Sequence, residues 1–99
     1  MTIRDELLEM PSGAMIRAAR GLIGLETTQL AEAVGVTRKT IFAIERDLLQ
    51  PLDERRRRTL RKIRDYFVEA RGVIFIFAED GLGEGVRLAK PTSDSADHQ

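Results

Sequence analysis

The chain divides by the rhythm of its apolar residues. Met15, Ile16, Ala19 and Leu22 recur at helical spacing and predict a helix ending near Ile23. Ser12, directly after Pro11, stands where an N-cap belongs, and Gly24 is placed to stop the helix in a left-handed conformation. A shorter period over residues 28–34 turns Leu30, Ala31 and Val34 inward. Glu26 or Thr27 caps it, and the hydroxyl favours Thr27; Gly35 closes it. Thr37 caps a third helix running to about Arg46. Asp53, after Pro51 and Leu52, caps a fourth, whose inward face is Leu60, Ile63, Phe67 and Ala70 and which Gly72 stops.

Beyond Gly72 the period changes. Val73, Ile74, Phe75, Ile76 and Phe77 form a short β-branched and aromatic run that reads as a buried strand. A glycine-rich link over 79–85 leads to Val86, Arg87 and Leu88, which alternate as a return strand. The expectation is a mainly α chain of four to five helices with a C-terminal β-hairpin. It comprises an arm over 1–12 with a weak Thr2/Asp5 capping box, a helical domain over 13–71, the hairpin over 72–90, and a polar, disordered tail over 91–99.

Three short helices joined by tight turns, the middle one spanning Ala33, Val34, Gly35, Val36 and Thr37, describe a helix-turn-helix. Ala31 is small enough to let the third helix cross closely, and Gly35 tolerates the positive φ the turn requires. Counted at about 100° per residue from Arg38, Ile41 and Ile44 fall at about 300° and 240° and join Val36 inside. Arg38, Lys39, Phe42 and Arg46 fall within about 0–100°, the opposite side, with Ala43 at its edge. Arg or Lys on a helix entering the major groove can donate to guanine O6 and N7, and an aromatic can meet a thymine methyl. Arg38, Lys39, Phe42 and Ala43 are therefore the candidate base readers. Thr27, Thr28, Thr37, Thr40, Arg46 and Arg55 are the candidate phosphate contacts.

The formal charge of zero conceals an uneven distribution. From Thr37 to Arg64 there are ten basic residues against four acidic ones, a net +6, which suits a phosphate backbone. Four of these cations are consecutive, Arg55 to Arg58, so they point to all sides of the fourth helix; Asp53 with Arg57 and Glu54 with Arg58 are spaced for i,i+4 pairs. The absence of cysteine excludes disulfides, thiolate chemistry and cysteine-based zinc sites. No apolar run approaches a membrane span and none follows the first six residues as a signal peptide would, so a cytoplasmic location is expected. Gly81, Gly83 and Gly85 join two strands and precede no helix, so they are hairpin chemistry and not a phosphate loop. No cofactor, metal or catalytic set is expected; His98, the one histidine, sits in the polar tail.

The run Leu30-Ala31-Glu32-Ala33-Val34-Gly35-Val36-Thr37-Arg38-Lys39-Thr40-Ile41-Phe42-Ala43-Ile44-Glu45-Arg46, preceded by Arg20-Gly21-Leu22-Ile23-Gly24-Leu25, resembles the xenobiotic-response-element (XRE) family of lambda-repressor-like regulators. The resemblance covers about residues 14–71. It implies a lambda-repressor-like bundle of a bacterial or phage type, with Thr37, Arg38, Lys39, Phe42 and Ala43 facing double-stranded DNA. It also implies a structural ion pair between Arg20 and Glu45. Where the family has Thr/Ser-Gln at the start of the second helix this chain has Glu26-Thr27, and where it has Gly after the third helix this chain has Asp47.

An isolated hairpin is marginal in water, and one covering helix leaves half of a five-residue apolar strand bare. Val73, Ile74, Phe75, Ile76, Phe77, Val86 and Leu88 are therefore the expected dimerisation surface. The functional expectation is a dimeric repressor on an inverted-repeat operator. Two other readings fit the same residues: a DNA-binding antitoxin with a toxin partner, or a protein-interaction module that binds no DNA.

Overall fold

The computed structural model describes residues 10–47 and 53–91. Among the described residues, four α-helices precede the hairpin: α1 (Gly13–Ile23), α2 (Thr27–Val34), α3 (Arg38–Glu45) and α4 (Glu54–Asp65). A π-helical turn, Tyr66–Ala70, extends α4 and leads into an antiparallel hairpin of β1 (Val73–Ile76) and β2 (Gly85–Leu88). Residues 2–9 of the expected arm, Pro51 with Leu52, and the tail from residue 92 lie outside the described residues.

Local chemistry sets the helix ends. Ser12 Oγ accepts the Met15 amide at 3.2 Å, Thr37 Oγ1 the Thr40 amide at 3.2 Å, and Asp53 Oδ1 the Arg56 amide at 2.8 Å. Gly24 and Gly35 end α1 and α2 at φ of 68° and 76°. Only the α2 cap differs from expectation: it is Glu26, and Thr27 is the first helical residue. Gln29, three residues on, accepts the Glu26 amide at 2.8 Å, the return half of a capping box that a threonine one position later has no partner to close.

Ile16, Ala19, Leu30, Ile41, Ile63 and Phe67 are fully buried, and with Val73 they tie all four helices and the hairpin into one core. Two expected core positions are exposed. Leu22 is at the surface, and Ile23, one residue on and in line with Ile16 and Ala19, packs inward instead. Ala70 is exposed because the widened turn before it breaks the 3.6-residue period that aligned it with Phe67.

The first strand is shorter than the apolar run: Phe77 lies outside it, and the strand is not buried on both faces. Val73 and Phe75 face inward, paired across the ladder with Leu88 and Val86, and the Phe75 ring meets Phe67 edge-on at 6.0 Å. Ile74 and Ile76 face outward, 44% and 43% exposed. Asp80 and Gly81, both at positive φ between the bridged Glu79 and Leu82, make the tight turn of the hairpin. The inner face packs against α1 as well as the π-helical turn, so the hairpin completes the core of the helical bundle.

Candidate nucleic-acid interface

Helix α3 is held from one side and bare on the other. Ile41 and Ile44 anchor it in the core, while Arg38, Lys39 and Phe42 are exposed and Ala43 is half-buried at the margin. The angular assignment made from the sequence therefore holds for these residues.

Two grooves flank the leading end of α3. One, of about 580 Å³, is lined by Glu26, Thr27 and Thr28 from the start of α2 and by Arg38, Lys39 and Phe42. The other, of about 380 Å³, lies between α3 and α4, with Thr37 and Thr40 on one wall and Arg55, Arg56, Arg58 and Lys62 on the other. The Thr37 and Thr40 hydroxyls hydrogen-bond each other at 3.0 Å. Three candidates scattered over nineteen positions, Thr37, Thr40 and Arg55, thus share one cleft; Thr27, Thr28, Arg38, Lys39 and Phe42 share the other. Arg46 caps the C-terminal end of α3 and places its guanidinium carbon 4.4 Å from the centre of the Phe42 ring.

Neither expected i,i+4 pair on α4 forms. Glu54 reaches two turns along the helix to Arg61 at 3.3 Å, which leaves Arg58 to face the second cleft. Among the described residues no carboxylate lies within ion-pair distance of Arg55, Arg56, Arg58 or Lys62, so this wall is a concentration of uncompensated positive charge. Arg58 and Lys62 were not singled out from the sequence, because a run of arginines does not say which side of a helix meets a neighbour.

The back of α3 is clamped to α1. Arg20 makes a fork-to-fork pair with the buried Glu45 carboxylate, Nε to Oε2 at 2.5 Å and Nη2 to Oε1 at 2.9 Å, and its Nη1 donates to the Leu25 carbonyl at 3.1 Å. Glu45 holds the guanidinium pKa above its ordinary value by hydrogen bond and charge, with burial opposing, so Arg20 stays cationic. Arg17, three residues earlier, donates to the Glu45 carbonyl at 2.5 Å and so satisfies a carbonyl that the end of α3 leaves without a helical partner. Asp47 adopts φ of 55° where the resembling family has glycine, and its Oδ1 accepts the Gly13 amide at 3.3 Å, a first-turn donor of α1. Gly13, Arg17 and Arg20 form one stripe along α1 that fixes the C-terminal end of α3.

No protein-family model matches the chain. The sequence is 40% identical over 67 residues to an uncharacterised helix-turn-helix (HTH)-type transcriptional regulator of Methanothermobacter thermautotrophicus, a match that spans 68% of this chain and 93% of that relative. Among the described residues no helix is long and apolar enough to cross a membrane. With α2 and α3 joined through the Gly35 turn, the outer side of α3 bare and basic, and this relative matched across nearly its whole length, the chain belongs to the HTH-type transcriptional regulators.

Proposed function

We propose that this protein is a sequence-specific double-stranded-DNA-binding regulator of the XRE, lambda-repressor-like type, acting as a homodimeric repressor on an inverted-repeat operator. The observation that carries the reading is the pair of grooves on either side of a bare, basic α3. Arg38 and Lys39 occupy its first turn, where a helix end entering the major groove meets base edges, and either can donate to guanine O6 and N7. Phe42 and Ala43, a turn further on, offer apolar contact to a thymine methyl. Thr27 and Thr28 on one side and Thr37, Thr40 and Arg55 on the other take the phosphates of the two strands bordering the groove, with Arg58 and Lys62 deepening the second contact. Bound over a promoter, the dimer blocks polymerase.

Selection from a random duplex pool is expected to enrich an inverted repeat with half-site centres about one helical turn, roughly 34 Å, apart. Arg38→Ala should then relax one symmetric position by ~1–3 kcal/mol, whereas Arg55→Ala should weaken all duplexes alike and flatten the salt dependence by about one ion. If no duplex is enriched and weak binding merely fades with salt, the protein-interaction reading replaces this one.

For the dimer, the seven hairpin candidates differ in exposure. Val73, Phe75, Val86 and Leu88 pack on the chain's own core and Phe77 is half-buried beyond β1, leaving Ile74 and Ile76 on the outer face. Two neighbouring isoleucines open to water on a two-stranded sheet suit an isologous contact with a second hairpin. An Ile74→Asp/Ile76→Asp protein is expected to keep its helical circular dichroism and to run as a monomer in light scattering. Retention of the wild-type mass, with wild type a dimer, would place the interface elsewhere.

A further inference from the structure

We infer that Phe42 and Arg46 act as one stacked unit that reads a thymine and a neighbouring guanine, making Arg46 a base-reading residue and not a phosphate contact. The inference rests on the DNA-binding reading above.

Arg46 lies eight positions after Arg38, about 12 Å along the helix axis at ~1.5 Å per residue, and its backbone has already left helical geometry. By position alone it belongs to the trailing end of α3. Side chains on a helix, however, lean towards its N-terminus and cover the turn before their own Cα. That is what Arg46 does: its guanidinium carbon sits over the Phe42 ring, 4.4 Å from the centroid. The ring is half exposed and lines the same groove as Arg38 and Lys39. The guanidinium is thereby carried back one turn, to the level of the residues that face bases.

Two features suit this unit to base edges. First, among the described residues no carboxylate or carbonyl holds the Arg46 side chain, so its N–H groups are uncommitted. A guanidinium lying on an aromatic face is fixed in its plane with the N–H groups at the rim, which is the presentation a bidentate bond to guanine O6 and N7 needs. Secondly, the ring retains exposed apolar surface for a thymine methyl. The ring-to-cation separation of 4.4 Å lies nearer to one base-pair rise of ~3.4 Å than to two, so the unit spans two adjacent base pairs better than two separated ones. A lysine, a point charge without a flat face, cannot be fixed in this way.

The test uses the full chain and the duplex it selects, with Arg46→Lys and Phe42→Leu compared with wild type for base preference at every operator position. Both side chains are exposed, so both variants should melt like wild type. The expected result is that each variant relaxes the same two adjacent positions, with about tenfold or greater loss of discrimination at the guanine for Arg46→Lys and an unchanged salt slope. Replacing the adjacent thymine by deoxyuridine, which removes only the methyl, should weaken wild type about fourfold and Phe42→Leu differently from wild type. If Arg46→Lys weakens all sequences equally, or shifts only the salt slope, Arg46 is a phosphate contact and the inference fails. If a duplex is selected but deoxyuridine is tolerated at every position, the thymine half fails. If wild type selects no duplex, the DNA-binding reading falls first and takes this one with it.

Discussion

Gly13→Ala is expected to destabilise the protein by about 3 kcal/mol or more, seen as a fall in Tm of more than ~10 °C at this chain length. A Cβ at Gly13 would stand 2.3 Å from the Glu45 carbonyl oxygen and 2.7 Å from that of Ile44, about 1 Å short of ordinary contact. Both obstacles are peptide backbone, so no side chain can swing aside. The start of α1 would have to part from the end of α3, stretching the Arg17 bond to the Glu45 carbonyl and the Asp47 bond to the Gly13 amide. Gly21, two turns further along the same helix, has nothing within 4 Å of an added Cβ and is exposed. There the general preference of helices for alanine is unopposed, so Gly21→Ala should stabilise by up to ~1 kcal/mol. Opposite signs for one substitution in one helix, read by thermal melting, separate close approach from helix propensity. Equal effects would mean that Gly13 is not a contact residue.

That role shows where a single sequence stops being informative. The caps at Ser12, Thr37 and Asp53 and the stops at Gly24 and Gly35 are local effects, decided by residues within four positions of each other, and they are readable from the chain. The free face of α3 is readable for the same reason, since periodicity alone separates Ile41 and Ile44 from Arg38 and Phe42. Gly13 meets residues 31 and 32 positions away, and nothing near it distinguishes a glycine that permits contact from one that only starts a helix. Arg17 and Asp47 are silent in the same way. Asp47 stands where the resembling family has glycine, and its left-handed backbone is accompanied by a hydrogen bond to α1 that no glycine can make. The π-helical turn was hidden because a 3.6-residue count fits the sequence as far as Phe67 and misassigns only Ala70. In the hairpin, composition identified the strands and one covered face, but not that Val73 and Phe75 with Val86 and Leu88 take that face and leave Ile74 and Ile76 outside.

The Arg20–Glu45 pair is the second place where a small change should have a large effect, and there the result depends on which partner is left behind. Glu45→Ala is expected to cost about 2–3 kcal/mol, below the 3–5 typical of a broken buried pair because the Arg20 side chain keeps 21% of its surface in water. The loss arises because a guanidinium bound to Glu45 at two points and to Leu25 at a third is left with one neutral partner. An Arg20→Met/Glu45→Leu protein strands no charge and should recover most of that stability, so a double-mutant cycle gives a non-additive result. Alkali should expose the pair only at extreme pH: a guanidinium whose pKa is raised on folding contributes stability that is fully present below its ordinary value and is lost only as pH rises through the folded value. The apolar double variant also separates stability from recognition. It retains the packing between α1 and α3 but not the fork geometry that fixes the rotation of α3, so operator discrimination should fall even though the melting temperature recovers. If discrimination recovers together with stability, packing through Ile41 and Ile44 suffices to aim the helix, and the ion pair serves the fold alone.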